Sequence, residues 1–297
     1  MNSNFFSVIV TYNPDVSTLV DLINVLSESD VVPIVVDNGS KSLDFIDAIK
    51  NSKVHFFYLN SNKGIAFAQN VGINFAIKSL AKKIIFFDHD SKIDKDFIKN
   101  INNDYELIKS SGEPIAAIGP KFIDTALKLY SPGLVYNKVG LLSKIDISHI
   151  NFPIEVAAII SSGSLVSVET FGHTGLMNED LFIDYVDTEW CFRASSLGFK
   201  FFISNSAIMY HSIGENTIKF FKTTFPVHSA RRRYYRVRNI FLMWNMIHIK
   251  KIWLINMLFN NLIVSLMLCI LEKDKFSYIR FFLLAIKDGL SGKKGSL

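Results

Sequence analysis

The chain has 297 residues, 49% of them hydrophobic and 20% charged, and carries a formal net charge of +5. That is enough apolar material for one large α/β domain with an appendage, and it excludes a disordered chain. Two cysteines, Cys191 and Cys269, exclude a disulfide framework and lack the spacing of a zinc site.

The charge is unevenly distributed. Residues 1–216 hold 17 Lys and Arg against 24 Asp and Glu, net −7, whereas residues 217–297 hold 15 against 3, net +12. A basic, aromatic-rich tail predicts a polyanionic partner, either nucleic acid or an anionic membrane face. At the other end, Met1–Ser7 has no basic stretch, and the apolar run after it breaks at Tyr12-Asn13-Pro14. This predicts a cytoplasmic chain that begins on a strand, not a signal peptide.

Ser7 to Thr11 reads as a strand, and Asp15 can cap a helix whose face is Val16, Leu19, Val20, Ile23 and Leu26. Val31 to Val36 is a second strand ending on Asp37-Asn38-Gly39-Ser40, which makes a right-handed crossover unit with the first. A weak helix over 43–50, a strand over 54–59, a loop Asn60 to Gly64 and a helix from Ile65 to about Leu80 follow. Next comes Ile84-Ile85-Phe86-Phe87-Asp88-His89-Asp90-Ser91, an apolar run read as a buried parallel strand. These units bring Thr11, Asp37, Gly64 and Asp88 to one edge of a parallel sheet, where open α/β folds bind ligands.

Asp88 and Asp90 are two residues apart, so in extended chain they face the same way and can share a cation or a ribose. Hard oxygen ligands suit Mg²⁺ or Mn²⁺, completed by water and substrate phosphates. The competing reading is an ordinary turn in which Ser91 or Asp94 caps a helix over 95–109.

Residues 115–121 predict a strand and turn, and no element is assigned over 124–155. A strand over about 156–168 flanks Ser161-Ser162-Gly163-Ser164, either a bulge or a loop that lies against a ligand. Asp187 falls at or next to the start of a helix closed by Gly198, either as a cap or as an ionised base beside an acceptor hydroxyl, with Asp184 in reserve. Glu189 and Arg193 read as a surface pair. His211 ends another apolar run, as a structural hydrogen bonder or a metal ligand.

Arg231-Arg232-Arg233-Tyr234-Tyr235-Arg236-Val237-Arg238-Asn239 is the densest positive run and suits the donor diphosphate, a lipid-linked diphosphate or anionic headgroups; no nucleic-acid motif accompanies it. Beyond Ile240 the chain is helical and apolar. Residues 252–271 are nearly long enough to span a bilayer, but Asn256, Asn260 and Asn261 fall mid-segment, so helices lying in the membrane interface are preferred to a span. The alternative is a hairpin packed on the catalytic domain or on a second subunit.

Val-Thr-Tyr-Asn-Pro, Val-Val-Asp-Asn-Gly-Ser, Asn62-Lys63-Gly64 with Ala68-Gln69-Asn70, and Asp88-His89-Asp90 resemble, in order, the signatures of family 2 glycosyltransferases of GT-A fold. Ser161 to Ser164, Leu181 to Arg193 and Tyr210 to Gly214 resemble its rhamnosyltransferase branch, and the likeness spans roughly 5–240. The resemblance implies an α/β GT-A domain over 1–239 (donor half 1–120, acceptor half 121–239) followed by the helical tail. It implies an inverting, metal-dependent transfer of L-rhamnose from dTDP-rhamnose to a lipid-linked or cell-surface glycan, on the cytoplasmic face of the cell membrane. The alternatives are another sugar from a UDP donor, or a nucleotide-binding module without turnover.

By the same resemblance Thr11, Tyr12, Asp37, Asn62, Gly64, Asn70 and Asp88 would bind the donor, with Asp37 on the pyrimidine. Asp90, Asp88 and His211 would hold Mg²⁺ or Mn²⁺, Asp187 would be the base, and Arg231, Arg232 and Arg233 would meet phosphate. Val186 stands where many family members have Glu before the catalytic Asp, which leaves a single-base mechanism.

Overall fold

The computed structural model describes residues 4–50, 53–124, 129–138, 140–211, 217–220, 223–226, 228–272 and 274–297. Its first half alternates β1 (Phe5–Thr11), α1 (Val16–Glu28), β2 (Val32–Asp37), α2 (Phe45–Ile49), β3 (His55–Tyr58), α3 (Ile65–Lys78) and β4 (Lys83–Asp88). These strands are near-continuous apolar runs because both of their faces are covered. Val8, Val10, Ile34, Val36, Ile84 and Phe86 enter one core cluster, while Ile9, Val35, Ile85 and Phe87, pointing the other way, enter a second. Asp15 caps α1 as expected, accepting from the Thr18 N–H at 2.9 Å.

The parallel register sets Thr11 beside Asp37, Asp37 beside Tyr58 and Val10 beside Asp88. The strand ends therefore line up along one edge, as the sequence predicts.

The chain continues through β5 (Lys92–Ile93), α4 (Phe97–Ser110), β6 (Ile115–Asp124), β7 (Leu129–Tyr130), β8 (Gly133–Tyr136), β9 (Leu142–Ile145), β10 (Ile154–Val156), β11 (Leu165–Ser167), α5 (Val168–Thr174), a 3₁₀ turn (Glu179–Leu181), α6 (Val186–Ser196) and β12 (Lys200–His211). The main sheet runs β10-β12-β6-β11-β4-β1-β2-β3. β11 is antiparallel to both β4 and β6 and separates the parallel block β4-β1-β2-β3 from the parallel pair β6-β12, which β10 edges antiparallel. The strand and turn expected at 115–121 is a single ten-residue strand through Gly119-Pro120. The strand expected over 156–168 is two short strands, with the serine loop between them.

A small hairpin, β13 (Thr217–Phe220) and β14 (Thr223–Pro226), leads to α7 (Ala230–Met243), α8 (Lys251–Leu271) and α9 (Lys275–Leu290). The boundary expected after residue 239 falls inside α7. Ile240, Met243, Ile249, Trp253 and Leu254 belong to the main core, so the tail is built into the catalytic unit. α9 lies so close to α7 that a Cβ at Gly289 would come within 2.7 Å of the Phe241 ring. On the other side Ile252, Ile255, Phe259, Leu266, Phe276 and Leu283 remain exposed. By length and composition, the Lys251–Leu268 stretch of α8 is one helix able to cross a membrane.

Candidate active site

Several donor-side residues are tied into their own loops. Asp37 is fully buried and accepts from Thr11 Oγ1 at 2.8 Å and Ser40 Oγ at 2.5 Å on one oxygen, and from the N–H groups of Ser40 at 2.8 Å and Gly39 at 3.2 Å on the other. Four donors fill the lone-pair directions of a carboxylate. Asp37 therefore holds the turn 37–40 at the strand mouth where the resemblance puts the pyrimidine. Thr11 is consumed by the same contact; Tyr12 stands exposed at the mouth.

The next loop is pinned in the same way. Asn38 donates to Asn62 Oδ1 and accepts from the Lys63 N–H at 2.8 Å, and Asn62 Oδ1 also accepts from the Gly64 N–H at 3.0 Å. Gly64 has φ +91°, and a Cβ there would lie 2.5 Å from the Phe182 carbonyl oxygen. Its glycine is thus required by the close approach of residue 182. Asn70, buried, grips Met177 through both its N–H and carbonyl and donates to Glu179 at 2.7 Å. Gly64 and Asn70 fasten the segment ahead of α6.

That segment walls a cavity of about 420 Å³ lined by Asp88, Asp184, Asp187, Gln69, Arg232 and Arg236, with Ser161 and Ser162 on the opposite lip. The Asp88 N–H donates to Ser162 Oγ, which is also hydrogen-bonded to Ser91, so the serine loop sets the position of the Asp88 turn. Asp90 is exposed just beyond. His211 closes β12 beside Asp124, and its side chain lies outside what the structure describes.

Two carboxylates from one strand end fit the donor set of Mg²⁺ or Mn²⁺, which take one or two carboxylates and let phosphates and water fill the remaining positions. No group of three His, Cys, Asp or Glu in ligand geometry occurs among the described residues. Asp88 and Asp90 therefore suit a cation that arrives with a diphosphate rather than one held by the protein alone.

Asp184 and Asp187 are chemically unlike. Asp184 faces Arg232 Nε at 3.3 Å and Arg236 Nη1 at 3.6 Å. Asp187, in the first turn of α6, accepts only backbone N–H groups in the contacts resolved for it, Thr188 at 2.9 Å and Ser161 at 3.3 Å. Burial pushes its carboxyl above the ordinary carboxylate range, and the neighbouring Asp184 and Asp88 charges push the same way. It is not the helix cap, since Tyr185 occupies that position.

The backbone before Asp187 is strained: Phe182, Asp184 and Tyr185 have φ of +65°, +63° and +64°. Such residues cost about 1–3 kcal/mol each and persist only where surrounding contacts impose them. Asn239 Nδ2 supplies those contacts, donating to the carbonyls of Leu181, Ile183 and Asp184. Arg238, fully buried, donates to the carbonyls of Asp180, Leu181 and Gly295, and the Gly295 N–H returns to Asp180 at 3.0 Å.

The arginine run divides by helical phase. Arg231 is exposed. Arg233 turns toward α8, donating to the Asn261 carbonyl at 2.9 Å and Ser265 Oγ at 3.1 Å, and burial pulls its guanidinium down to about 10. Only Arg232 of the three expected residues lines the cavity, and its partner there is Arg236, which was not singled out. The signal was available, because positions 232 and 236 share one helix face. Glu189 and Arg193 are likewise no surface pair: Glu189 is buried and accepts from Arg193 at 2.9 Å and pairs with His248 at 2.8 Å.

Residues 7–107 match the family profile described as glycosyl transferase family 2. The chain is 40% identical over 296 residues to the dTDP-rhamnosyl transferase RfbF of Shigella flexneri, covering 99% of this chain and 98% of that one. Among solved structures, GalNAc-T7 with UDP, GalNAc and Mn²⁺ superposes with a TM-score of 0.58 at 15% identity, over 81% of this chain and 48% of that one. The 1–349 fragment of S. aureus TarS gives 0.55 at 16% identity, over 97% and 81%. The chain spans about half the length of the GalNAc-T7 chain it matches, and both likenesses speak for the fold alone. With a sheet of this order, helices on both faces and near full-length identity to a curated relative, the chain belongs to glycosyl transferase family 2, GT-A fold, in its rhamnosyltransferase branch.

Proposed function

We propose that the chain transfers L-rhamnose from dTDP-rhamnose to a lipid-linked or cell-surface glycan with inversion at the anomeric carbon. The observation that carries the reading is the contrast between Asp184, ion-paired to Arg232 and Arg236, and Asp187, which is held by N–H groups and raised in proton affinity. A base poised upward in this way accepts a proton from an acceptor hydroxyl more readily than an ordinary carboxylate does. Asp187 takes that proton as the acceptor oxygen bonds to the anomeric carbon. The bond from that carbon to the phosphate oxygen breaks, and its electron pair leaves on the diphosphate.

Arg232 and Arg236, which line the same cavity, would meet the growing negative charge. Asp88 and Asp90 would hold Mg²⁺ or Mn²⁺, which when bound neutralises the diphosphate. RfbF is named as a dTDP-rhamnosyl transferase, which supports the donor.

The test is nucleotide release from dTDP-rhamnose and from UDP-sugars, with Mg²⁺, Mn²⁺ or EDTA, and assignment of the product anomer by NMR. Faster turnover of a UDP-sugar would overturn the donor, full activity in EDTA the cation, and a retained anomer the mechanism.

The exposed apolar face of α8 and α9 is bordered by Lys250, Lys251, Lys275 and Arg280. This supports peripheral docking on the anionic cytoplasmic face of the cell membrane, because apolar burial and basic attraction then act together. Pelleting with anionic but not zwitterionic vesicles, weakened by salt, is expected. A dimer in sedimentation that leaves the protein unable to pellet would show that the face joins two copies instead.

A further inference from the structure

A second cavity, of about 290 Å³, lies on the other side of Asp187. It shares Asp187, Thr188 and Ile160 with the charged one, so these residues form a wall between two spaces of opposite character. Its other surfaces are apolar, chiefly Pro120, Phe122, Pro132, Leu134, Ile147 and Ile159.

Two glycines shape the floor. A Cβ at Gly119 would crowd Ile159 at 3.3 Å, and one at Gly133 would crowd Ile147 at 3.1 Å and Ile203 at 3.3 Å. Neither position has a backbone conformation that demands glycine, so what both provide is room beside the isoleucines. In a fold whose interior is otherwise close-packed, space of this size against a carboxylate is a built feature.

We propose that this cavity seats the terminal sugar of the acceptor, and that it selects a residue presenting a methyl group beside the accepting hydroxyl, from a 6-deoxy position or an acetamido group. The inference rests on the proposed role of Asp187 as base. The accepting hydroxyl must reach Asp187 from the side away from the diphosphate, and this cavity opens there. Once the hydroxyl meets Asp187, the rest of the ring faces a mostly carbon surface, with side-chain hydroxyls at Ser131 and Thr188. A hydroxymethyl group set against the isoleucines and prolines would lose water there, whereas a methyl group gains by burial. The volume admits about one sugar ring and not a polyprenyl chain, so the lipid of a lipid-linked acceptor stays outside.

The experiment measures kcat/KM for dTDP-rhamnose transfer to matched synthetic glycosides: 6-deoxyhexosides, N-acetylhexosaminides and their hydroxymethyl, non-acetylated counterparts. The wild type should favour a methyl-bearing acceptor by about 10- to 10²-fold, the range that an apolar pocket achieves for one small group. The deoxy and acetamido arms tell which methyl is read. Leu134→Asn should collapse that ratio toward unity, and Pro132→Asn, at the exposed mouth, should narrow it where the first variant folds poorly.

Because the readout is a ratio within one protein, loss of folded enzyme does not mimic it. Equal use of all acceptors by the wild type, or a ratio unmoved in a variant that still transfers, overturns the inference. A wild type that releases nucleotide from every donor tested only by hydrolysis, and transfers to none of these glycosides, overturns it as well. Release from no donor at all instead overturns the glycosyltransfer reading beneath it.

Discussion

The edge formed by β1, β2 and α3 and the edge formed by the loop before α6 together with α7 use the same residue types: carboxylates, amides and hydroxyls. On the first edge key groups are buried and answered by the chain itself, as Asp37 is by Thr11, Gly39 and Ser40, and Asn70 by Met177 and Glu179. On the second edge Asp187, Arg232 and Arg236 look into open space, and the backbone that presents Asp187 is strained. Motif residues thus divide into those that build loops and those that line an open cavity. Access to that space, more than motif membership, marks where chemistry can occur.

The comparison is broken most severely at Asp187. Asp187→Asn should keep the fold and donor binding but lower turnover by about 10²–10⁴, read by kinetics and donor titration. If donor affinity collapses instead, Asp187 belongs to the nucleotide site; if only Asp184→Asn is inactive, the base is Asp184. Arg236→Met should cost about 10²-fold in kcat/KM, the loss seen when one charge-stabilising donor is removed. An unaffected rate would confine Arg236 to its pairing with Asp184.

On the other edge the currency is stability. Asp37→Asn should lower unfolding free energy by about 1–3 kcal/mol, because buried donors lose their acceptor, and this is read as a drop in Tm. A folded variant with normal Tm and lost donor affinity would return Asp37 to the base site. The smallest effect is expected at Arg233→Met. Ser265 Oγ already donates to the Asn261 carbonyl at 2.7 Å, so the contacts vacated by the guanidinium satisfy each other, and stability should stay within about 1 kcal/mol at wild-type turnover. Loss of turnover there would mean that the whole arginine run acts as one phosphate site.

Much of the frame was legible in the sequence. Apolar runs of strand length, alternating with amphipathic segments, specify parallel β-α units and place Thr11, Asp37 and Asp88 at strand ends. What the sequence hides is the order of strands in space: nothing in Leu165-Val166-Ser167 announces an antiparallel insertion between β4 and β6. Asp37 and Asp88 both end apolar strands, and what separates them is the turn that follows: Gly39 and Ser40 fold back on the Asp37 carboxylate, and Thr11 of the neighbouring strand completes its contacts. Glu189 reads as a surface residue until His248, distant in sequence, reaches it. Arg236 could have been found by helical phase, whereas the apolar cavity behind Asp187 is assembled from several separate segments and has no local signature.

The clasp between Asp180, Arg238 and Gly295 has a consequence for how the enzyme is made. Phe182, Asp184 and Tyr185 have positive φ in a segment fastened by Asn239 and Arg238, and Arg238 in turn is bound to the Gly295 carbonyl. During synthesis the parallel sheet of the first half can form early, since chains fold from the N-terminus as they emerge. The strained segment has to wait for residue 295. A nascent chain therefore carries a complete nucleotide-side scaffold but no set catalytic loop, and competence to transfer sugar arrives only once residues near 295 have left the ribosome.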